Sequence, residues 1–324
     1  MKSLIIPVYK NESGLPDLIA AVGELAADCG PEFEVVFVVD GSPDRCAEIL
    51  RAELPQQPFR SRLLFHSRNY GSFAAIRSGM QAARGDVFAV MAADLQEPPE
   101  LMTEFYRILE GDLADVVVGS RVKRDDPLQS RIASTVFWWC YKRLVNSQIP
   151  DGGVDVFGCN DVFRKQLLSL HETRTSLVGL IYWLGFRRES VEYQRRAREH
   201  GSSAWTLRGK LDYLMDSLFA FSDLPVKLLL STGVLGLLVA VFFGFSVVTG
   251  GLFGSFEVPG YAATVTTVLF FGALNTVGIG IVGSYVWRAY ANTQRRPLAI
   301  VMNEFDFEPA PASGAKAPPS SAAE

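Results

Sequence analysis

The sequence has few of the residues that build metal clusters or disulfide frameworks. Among its 324 residues are 4 cysteines and 3 histidines. The cysteines are far apart, without a CxxC pair, and the histidines are equally scattered: Cys29, Cys46, Cys140, Cys159, His66, His171 and His200. This spacing predicts neither a zinc site nor a disulfide framework.

The sequence also lacks an excess of charge of either sign and a long apolar run at its N-terminus. It holds 31 Lys and Arg against 35 Asp and Glu, a formal net charge of −4 at pH 7. Nucleic acid is therefore not expected as a partner, because such proteins usually carry a basic surface. The first apolar run is too short for the core of a signal peptide, so we expect the domain that follows to stay where it is synthesised.

Long uncharged stretches occur near the C-terminal end. No Asp, Glu, Lys or Arg is found from Leu228 to Phe256, or from Val258 to Trp287. The core of a bilayer needs about 20 helical residues. Each stretch is long enough to cross it, so we expect two transmembrane helices within 226–290.

The charges around these two stretches predict their orientation. Lys227 precedes them, Arg288, Arg295 and Arg296 follow them, and only Glu257 lies between them. Positive residues are enriched on the cytoplasmic side of membranes. We therefore expect both ends of the helix pair, and the domain attached to it, to be cytoplasmic.

The first 205 residues alternate between short apolar runs and amphipathic stretches. The apolar runs are SLIIPV near residue 3, EVVFVV at 34, RLLFH at 62, DVFAVMA at 86 and DVVVGS at 115. Helices are expected between them, for example over Leu15–Ala27 and Pro99–Leu109. This alternation predicts an α/β domain over 1–205 with a parallel sheet covered on both faces.

A polar cluster follows each of the five predicted strands. The clusters are PVYKNE, DGSPD, SRNYGS, AADLQEPP and GSRVKR, in chain order. In open α/β sheets, ligands bind at the carboxyl ends of the strands. We therefore expect the functional site along this edge.

Two carboxylates at that edge, Asp40 and Asp94, are the main chemical signal. A carboxylate there can hydrogen-bond a nucleoside, or hold a divalent cation that neutralises a diphosphate leaving group. Simpler explanations exist for each alone, since Asp40 precedes Gly41 in a typical turn dipeptide and Asp94 could cap the helix that begins near Pro98. The two together, with PVYKNE, favour a site.

Basic residues follow the fifth strand and recur ahead of the uncharged stretches. They are Arg121, Lys123, Arg124, Arg131, Arg195, Arg196 and Arg198. Arginine forks bind phosphate in a bidentate manner, so these residues could hold a lipid phosphate between the cleft and the membrane. Solvated surface charge remains the alternative for each of them.

Two segments flank the predicted transmembrane helices. Leucines and a phenylalanine from Leu207 to Phe221 recur at helical spacing, which predicts an amphipathic helix over 206–225, either on the membrane surface or packed on the soluble domain. The segment 291–324 is expected to be cytoplasmic, and the residues after Phe307 are too poor in apolar side chains to pack.

These motifs in this order resemble the family 2 glycosyltransferases of the polyprenyl-phosphate type, such as dolichyl-phosphate mannose synthases and bacterial undecaprenyl-phosphate glucosyltransferases. The segments REHGSSAW and GSYVWRAYANTQRRPLAIV strengthen the resemblance, which covers nearly the whole chain. It implies a GT-A fold, which is Rossmann-like, at the bacterial inner membrane. It also implies inverting transfer of a sugar from a UDP- or GDP-linked donor to undecaprenyl or dolichyl phosphate, for modification of cell-envelope glycans.

The resemblance also implies roles for individual residues. The nucleotide sugar would contact Pro7, Tyr9, Glu12, Asp40, Asp94, Arg198 and Ser203. Mg²⁺ or Mn²⁺ would be held by Asp94 and Gln96, and the acceptor phosphate by Arg121 and Arg131. Asp155, in the loop DGGVDVFG, would lie near the transferred sugar. Membrane lipids are implied partners, and a homo-oligomer is left open.

The chain departs from the family pattern at acidic positions. Val39 stands where the family commonly has the first of two aspartates, Ala92 where it has the first acid of DAD, and Ser284 where it has a glutamate; Lys10 interrupts PVYNE. A non-catalytic homologue that binds nucleotide sugar or lipid is therefore an alternative. A glycosyltransferase with a non-lipid acceptor is a third.

Overall fold

A computed structural model describes residues 1–121, 141–143, 148–150, 154, 156–173, 175–196, 207–252 and 260–310. Within these residues the chain forms an eight-stranded mixed sheet. Its strands are β1 (Lys2–Val8), β2 (Phe33–Val39), β3 (Arg60–His66), β4 (Val87–Val90), β5 (Val116–Arg121), β6 (Phe157–Asn160), β7 (Arg188–Tyr193) and β8 (Val301–Phe307). Their order across the sheet is β7-β5-β6-β4-β1-β2-β3-β8.

Most neighbouring strands of the sheet are parallel. Strand β1 pairs with β2 and β4, β2 with β3, and β5 with β7, all in parallel. Strand β6 is antiparallel to both β4 and β5, and β8 is antiparallel to β3. Because β6 is antiparallel to both of its neighbours, β4 and β5 run parallel to each other. Strands β1 to β5 and β7 therefore all end at one edge of the sheet, and the polar clusters follow them there.

Helices cover both faces of the sheet. They are α1 (Leu15–Cys29), α2 (Cys46–Glu53), α3 (Ser72–Ala82), α4 (Glu100–Glu110), α5 (Asp161–Ser169) and α6 (Leu177–Trp183). All seven residues of β2 are buried. Its side chains alternate between two clusters, Val35 and Phe37 packing with α1, α2 and α4, and Val36 and Val38 packing with α3, α5 and α6. A strand covered on both faces is apolar throughout, which is the pattern found in the sequence.

The five predicted strands and the predicted first and fourth helices are confirmed, with bounds that differ by a few residues. The sheet is nevertheless mixed rather than parallel throughout. The reason is that two strands from later parts of the chain, β6 and β8, run antiparallel to their neighbours.

Strand β8 places part of the segment 291–324 inside the sheet of the N-terminal domain, which the division of the chain at residue 205 did not predict. Ion pairs join Arg62 to Glu304 and to Asp306, and the Arg84 guanidinium lies 2.7 Å from Asp306. The ring of Phe305 packs edge-on against Phe65, with centroids 5.8 Å apart. The predicted disordered tail, 311–324, lies outside the described residues.

Three further helices follow: α7 (Leu207–Phe221), α8 (Leu224–Leu252) and α9 (Tyr261–Thr293). Helices α8 and α9 are long and apolar enough to cross a membrane, over Leu224–Phe242 and Phe270–Thr293, and only 6% of each stretch is buried. Such exposed apolar surface is typical of contact with lipid.

Helix α7 connects the sheet domain to α9. The Tyr213 hydroxyl donates to Ser176 Oγ at 2.9 Å, and its ring stacks on Tyr141. Three residues further along the helix, the Arg288 guanidinium donates to Asp216 Oδ1 at 2.6 Å. Of the two alternatives for this helix, packing on the soluble domain is therefore realised on one face, and the membrane-surface position stays a prediction.

Candidate functional site

Asp40 follows β2 and is 3% exposed. Its two carboxylate oxygens accept hydrogen bonds from the backbone N–H groups of Tyr70 and Gly71, at 2.9 and 2.7 Å. His66 Nδ1 lies 2.8 Å from Asp40 Oδ1, and His66 Nε2 lies 2.9 Å from Ser78 Oγ. Asp40 therefore fixes the loop after β3, and the role in nucleotide binding assigned to it stays a prediction.

The turn after Asp40 requires glycine. Gly41 has φ +57°, and a Cβ built on it would lie 2.2 Å from the carbonyl carbon of Arg68. The loops after β2 and β3 consequently pack backbone against backbone. This close contact is what brings the N–H groups of Tyr70 and Gly71 within reach of Asp40.

The loops after β1 and β2 are joined by a reciprocal pair of hydrogen bonds. The Arg45 N–H donates to Glu12 Oε2 at 2.9 Å, and the Glu12 N–H donates to Asp44 Oδ2 at 3.2 Å. Burial of Asp44 opposes ionisation, but hydrogen bonds from Ser42, Cys46 and Glu12 outweigh it and lower the pKa of Asp44 below its ordinary value. Glu12 is thus near the predicted nucleotide site, and its carboxylate already has a backbone partner.

The loop after β1 also reaches the loop after β4. Lys10 has φ +51°, and its N–H donates to Ser42 Oγ at 2.8 Å. The next residue, Asn11, turns inward, and its side-chain amide donates to the carbonyl of Ala93 at 2.8 Å. The lysine that interrupts the family motif therefore lies at a left-handed turn, directly before the asparagine that joins the two loops.

Asp94 is half-exposed at the end of the β4 segment, in contrast to Asp40. Leu95, which follows it, has φ +52°. A leucine in this left-handed region costs about 1–3 kcal/mol and persists only where the surrounding structure fixes it, as occurs at functional sites. The strained residue, Leu95, directly follows Asp94, the carboxylate that the sequence analysis identified as a candidate ligand.

Arg195, just past β7, holds the same loop from the other side. Its guanidinium donates to Gln96 Oε1, and its Nε lies 3.9 Å from an oxygen of Glu97, which is 1% exposed. The Arg196 N–H donates to the Gln96 carbonyl at 2.8 Å. The segment that leads into REHGSSAW is therefore attached to the loop that carries Asp94 and Gln96.

The remaining predicted residues are distributed as follows. Pro7 is on β1 with Tyr9 directly after it, and Arg121 ends β5, so all three lie at the expected edge. Four site residues fall outside the described residues: Arg131, Asp155, Arg198 and Ser203. Lys123 and Arg124 fall outside them too. The structure thus brings Pro7, Tyr9, Glu12, Asp40, Asp94, Gln96 and Arg121 to one edge of the sheet.

A divalent cation fits this edge through Asp94. Mg²⁺ is usually bound by one or two carboxylates together with substrate phosphates, so the single half-exposed carboxylate is a sufficient protein ligand. In the part of the chain that is described, no group of three or more His, Cys, Asp and Glu side chains forms a metal cluster. The oxygen of Gln96 accepts from Arg195, so it would bind a cation only if that hydrogen bond opened.

Two residues of this edge were missed by sequence reasoning. His66 ends β3 and orients Asp40, and Asp44 joins the loops after β1 and β2. The available signal for His66 was a polar residue that ends an otherwise apolar strand, immediately before a polar cluster. For Asp44 the signal was a second carboxylate in DGSPD, two residues after a serine.

Comparisons with known proteins agree with this fold. The family model described as glycosyl transferase family 2 matches residues 3–170. The chain is 30% identical over 310 residues to an undecaprenyl-phosphate 4-deoxy-4-formamido-L-arabinose transferase of Pseudomonas aeruginosa, covering 91% of this chain and 87% of that protein. It is 26% identical over 303 residues to the bactoprenol glucosyl transferase of Shigella phage SfV, covering 93% and 98%.

A more distant likeness is to a solved structure of glucosyl-3-phosphoglycerate synthase from Mycobacterium tuberculosis with Mn²⁺ and uridine diphosphate. It has 16% identity and a TM-score of 0.47, and covers 68% of this chain and 77% of that one. At this distance the likeness says nothing about the substrate or the metal of the present protein.

The sheet, with its polar edge, is the GT-A-like arrangement of a sugar transferase. The chain belongs to glycosyl transferase family 2, since the family model matches more than half of it. It is accordingly a glycosyltransferase.

Proposed function

We propose that this enzyme transfers a sugar, with inversion, from a nucleotide sugar to the phosphate of a membrane polyprenol. The donor is UDP- or GDP-linked and the acceptor is undecaprenyl or dolichyl phosphate. The observation that carries the proposal is the connection of two parts of the chain. The last strand of the glycosyltransferase sheet, β8, follows a pair of exposed apolar helices in the sequence. Two relatives whose names give undecaprenyl phosphate or bactoprenol support it, and each is similar to this chain over most of its length.

The connection of the helices to the sheet supports a hairpin that enters and leaves the membrane on one side. Helix α8 begins at Leu224, just after α7, which packs on the sheet domain. Helix α9 ends at Thr293, and β8 begins at Val301 in the same sheet. Both outer ends of the pair are thus tied to the glycosyltransferase domain. Together with the positive-inside rule, this supports the proposal of a multi-pass protein of the bacterial inner membrane with its domain in the cytoplasm.

Labelling tests this orientation. In a background in which the native cysteines are replaced by serine, we expect Ser255→Cys to react with an impermeant thiol reagent from outside and Ser320→Cys to react only after lysis. Outward labelling at position 320 would contradict the orientation.

The chemistry needs two anionic substrates to be held together. A phosphate monoester carries about 1.5 to 2 negative charges near neutral pH, so the acceptor is already a nucleophile and needs no strong general base. Alignment for in-line attack on the anomeric carbon, and stabilisation of the departing diphosphate, remain for the protein. The loops after β1 and β2 would bind the nucleoside, and Arg121 and Arg131 the acceptor phosphate.

Asp94 would hold Mg²⁺ or Mn²⁺, with Gln96 as a second ligand. When bound, the cation supplies charge neutralisation for the departing diphosphate. Arg195 would keep the Asp94 loop in place from the β7 side. Asp155, Arg198 and Ser203 would orient the sugar and the diphosphate from the neighbouring segments.

The test is incubation of the purified full chain with radiolabelled UDP- and GDP-sugars and either undecaprenyl or dolichyl phosphate. Label that enters the organic phase only with a polyprenyl phosphate present is the expected result. A labelled product that stays in the water phase would indicate a different acceptor. No product, with nucleotide sugar still bound, would favour a non-catalytic homologue.

That non-catalytic alternative rests on Val39 and Ala92. Val39 is 3% exposed and packs within the apolar cluster under α1 and α2, so the aspartate common in the family is replaced here by a core residue. Asp94, two residues after Ala92, remains half-exposed, which favours the catalytic proposal.

A further inference from the structure

A cleft of about 430 Å³ lies where the chain returns from α9 to the sheet domain. One wall is the loop after β3, with Arg68, Tyr70 and Gly71, and the other is the segment Arg296 to Leu298. Thr173 completes the lining, and its N–H and hydroxyl both donate to Asn292 Oδ1, near the end of α9. The cleft is thus built by the sheet domain and the helix terminus together.

The two arginines of this cleft differ from most others in the described part of the chain. Arg62, Arg84, Arg107, Arg164 and Arg187 all pair with carboxylates. Arg68 donates to the carbonyl of Asn69, and neither it nor Arg296 pairs with a carboxylate among the described residues. Two guanidinium groups that share a cleft repel each other, so an anion bound between them would be stabilised by both.

The Arg68 side of the cleft is held in place by contacts of its own. The guanidinium lies 4.0 Å from the centroid of the Tyr70 ring. That ring is fixed by a hydrogen bond between its hydroxyl and Ser67 Oγ at 2.9 Å, and by an edge contact with His66. The Ser67 N–H in turn donates to the carbonyl of Ile300 at 3.0 Å. The exposed Arg68 side chain therefore has a contact on the Tyr70 ring that is present before a ligand binds.

The position of the cleft specifies the source of the anion. The candidate membrane span of α9 ends at Thr293, and Arg296 follows three residues later. A basic residue so close to the end of a membrane-spanning helix lies at the depth of lipid phosphates. Guanidinium groups match the geometry of a phosphate oxygen pair.

We propose that Arg68 and Arg296 form a binding site for the phosphate of an anionic lipid headgroup. The site lies at the same edge of the sheet as Asp94 but at a different point along it. It adjoins β3, and β3 is three strands away from β4, or roughly 14 Å at the usual strand spacing. The proposal rests on the membrane position of α9 given with the proposed function but not on sugar transfer, because lipid binding can be measured with no nucleotide sugar present.

The experiment is native mass spectrometry of the full chain in a neutral detergent, with increasing phosphatidylglycerol and, separately, phosphatidylcholine of the same acyl chains. We expect saturable retention of one phosphatidylglycerol and much weaker retention of phosphatidylcholine. Arg296→Gln and Arg68→Gln should each weaken the apparent affinity about tenfold, since each removes a charge-assisted contact to phosphate.

Arg295→Gln is the matched control. It removes the same charge at the same depth, but Arg295 does not line the cleft, so we expect a change below about twofold. Equal losses for Arg295→Gln and Arg296→Gln would show general attraction of basic residues to the lipid and would overturn the site. Unchanged binding in Arg296→Gln, an exposed position, would overturn it as well.

A second arm identifies the source of the phosphate. Inorganic phosphate at millimolar concentration should displace the lipid only weakly, because inorganic phosphate has no acyl chains to contact the apolar surface of α9. If phosphate or UDP displaces it completely, with the same dependence on Arg68 and Arg296, the ligand is a soluble phosphate and the lipid assignment is wrong.

Discussion

The two halves of the active edge use aspartate differently. On the β2–β3 side, Asp40 is buried and its oxygens accept from two backbone N–H groups and face His66. On the β4–β7 side, Asp94 is half-exposed beside a strained leucine, in a loop held by Arg195. The comparison teaches that one residue type after equivalent strands can be buried as the acceptor of a loop's N–H groups in one place and stay half-exposed in the other.

The largest expected effect is on catalysis at Asp94. Asp94→Asn deletes a charge with little change of shape, so a loss would reflect electrostatics and not packing. We expect turnover to fall about a hundredfold or more, with the thermal unfolding midpoint unchanged. Steady-state rates of lipid-linked sugar formation measure it.

Metal dependence is the control for this prediction. Chelation should stop transfer by the wild type, and Mg²⁺ or Mn²⁺ should restore it. Ala92→Asp should retain activity or bind metal more tightly, because it places a second carboxylate at a position where the family has one. Full activity of Asp94→Asn in the presence of a chelator would show that the arginines alone stabilise the leaving group.

The next largest effect is on stability at Asp40. Asp40→Ala leaves the N–H groups of Tyr70 and Gly71 without their acceptor, so we expect the free energy of unfolding to fall by about 2–4 kcal/mol. Asp40→Asn keeps one acceptor oxygen and should lose less. Thermal unfolding of the full chain in detergent checks both variants. A stable Asp40→Ala protein with impaired nucleotide binding would show that Asp40 acts on the substrate and not on the stability of the fold.

A smaller effect is expected at Arg195. Arg195→Gln removes a positive charge next to the proposed cation site and frees the oxygen of Gln96, so Mn²⁺ should bind roughly fivefold more tightly. Electron paramagnetic resonance of free Mn²⁺ measures this directly, without turnover. Arg196→Gln is the control, since that guanidinium faces Glu100 at 3.5 Å. Weaker binding in Arg195→Gln would mean that Arg195 positions the loop more than it repels the metal.

The smallest effect is expected at the strand that closes the sheet. Asp306→Asn breaks partly exposed ion pairs with Arg62 and Arg84. Such pairs contribute little, so we expect a loss of less than about 1 kcal/mol. Phe305→Ala should cost more, because Phe305 packs on Phe65 and under the Arg51 guanidinium. The reverse order would mean that charge, and not packing, holds β8.

Much of this fold could be predicted because strands covered on both faces carry an unmistakable apolar pattern. The strands near residues 3, 34, 62, 86 and 115, and the polar clusters after them, were confirmed. Strand β8 could not be predicted as part of the sheet, because Asp306 pairs with Arg62 across 244 residues and the two long apolar helices lie between them. No local pattern specifies so distant a partner.

The position of Asp40 and Asp94 at one edge of the sheet was predictable, but the contacts that each carboxylate makes were not. Asp40 and Asp94 both follow a buried strand, and the sequence does not show which backbone N–H groups each carboxylate will meet. That depends on the close approach at Gly41, where the loop after β3 comes within contact of the turn. The attachment of Gln96 to Arg195 likewise joins residues 99 positions apart, and only the parallel pairing of β5 with β7 brings them to one edge.

The most direct test of the account is the intact mass of the lipid product. Incubation of the wild-type chain with a nucleotide sugar and polyprenyl phosphate should yield a lipid heavier by one sugar residue, with its single phosphate retained. A lipid heavier by a sugar phosphate, or label confined to the water phase, would contradict transfer of the sugar alone to the phosphate of the polyprenol.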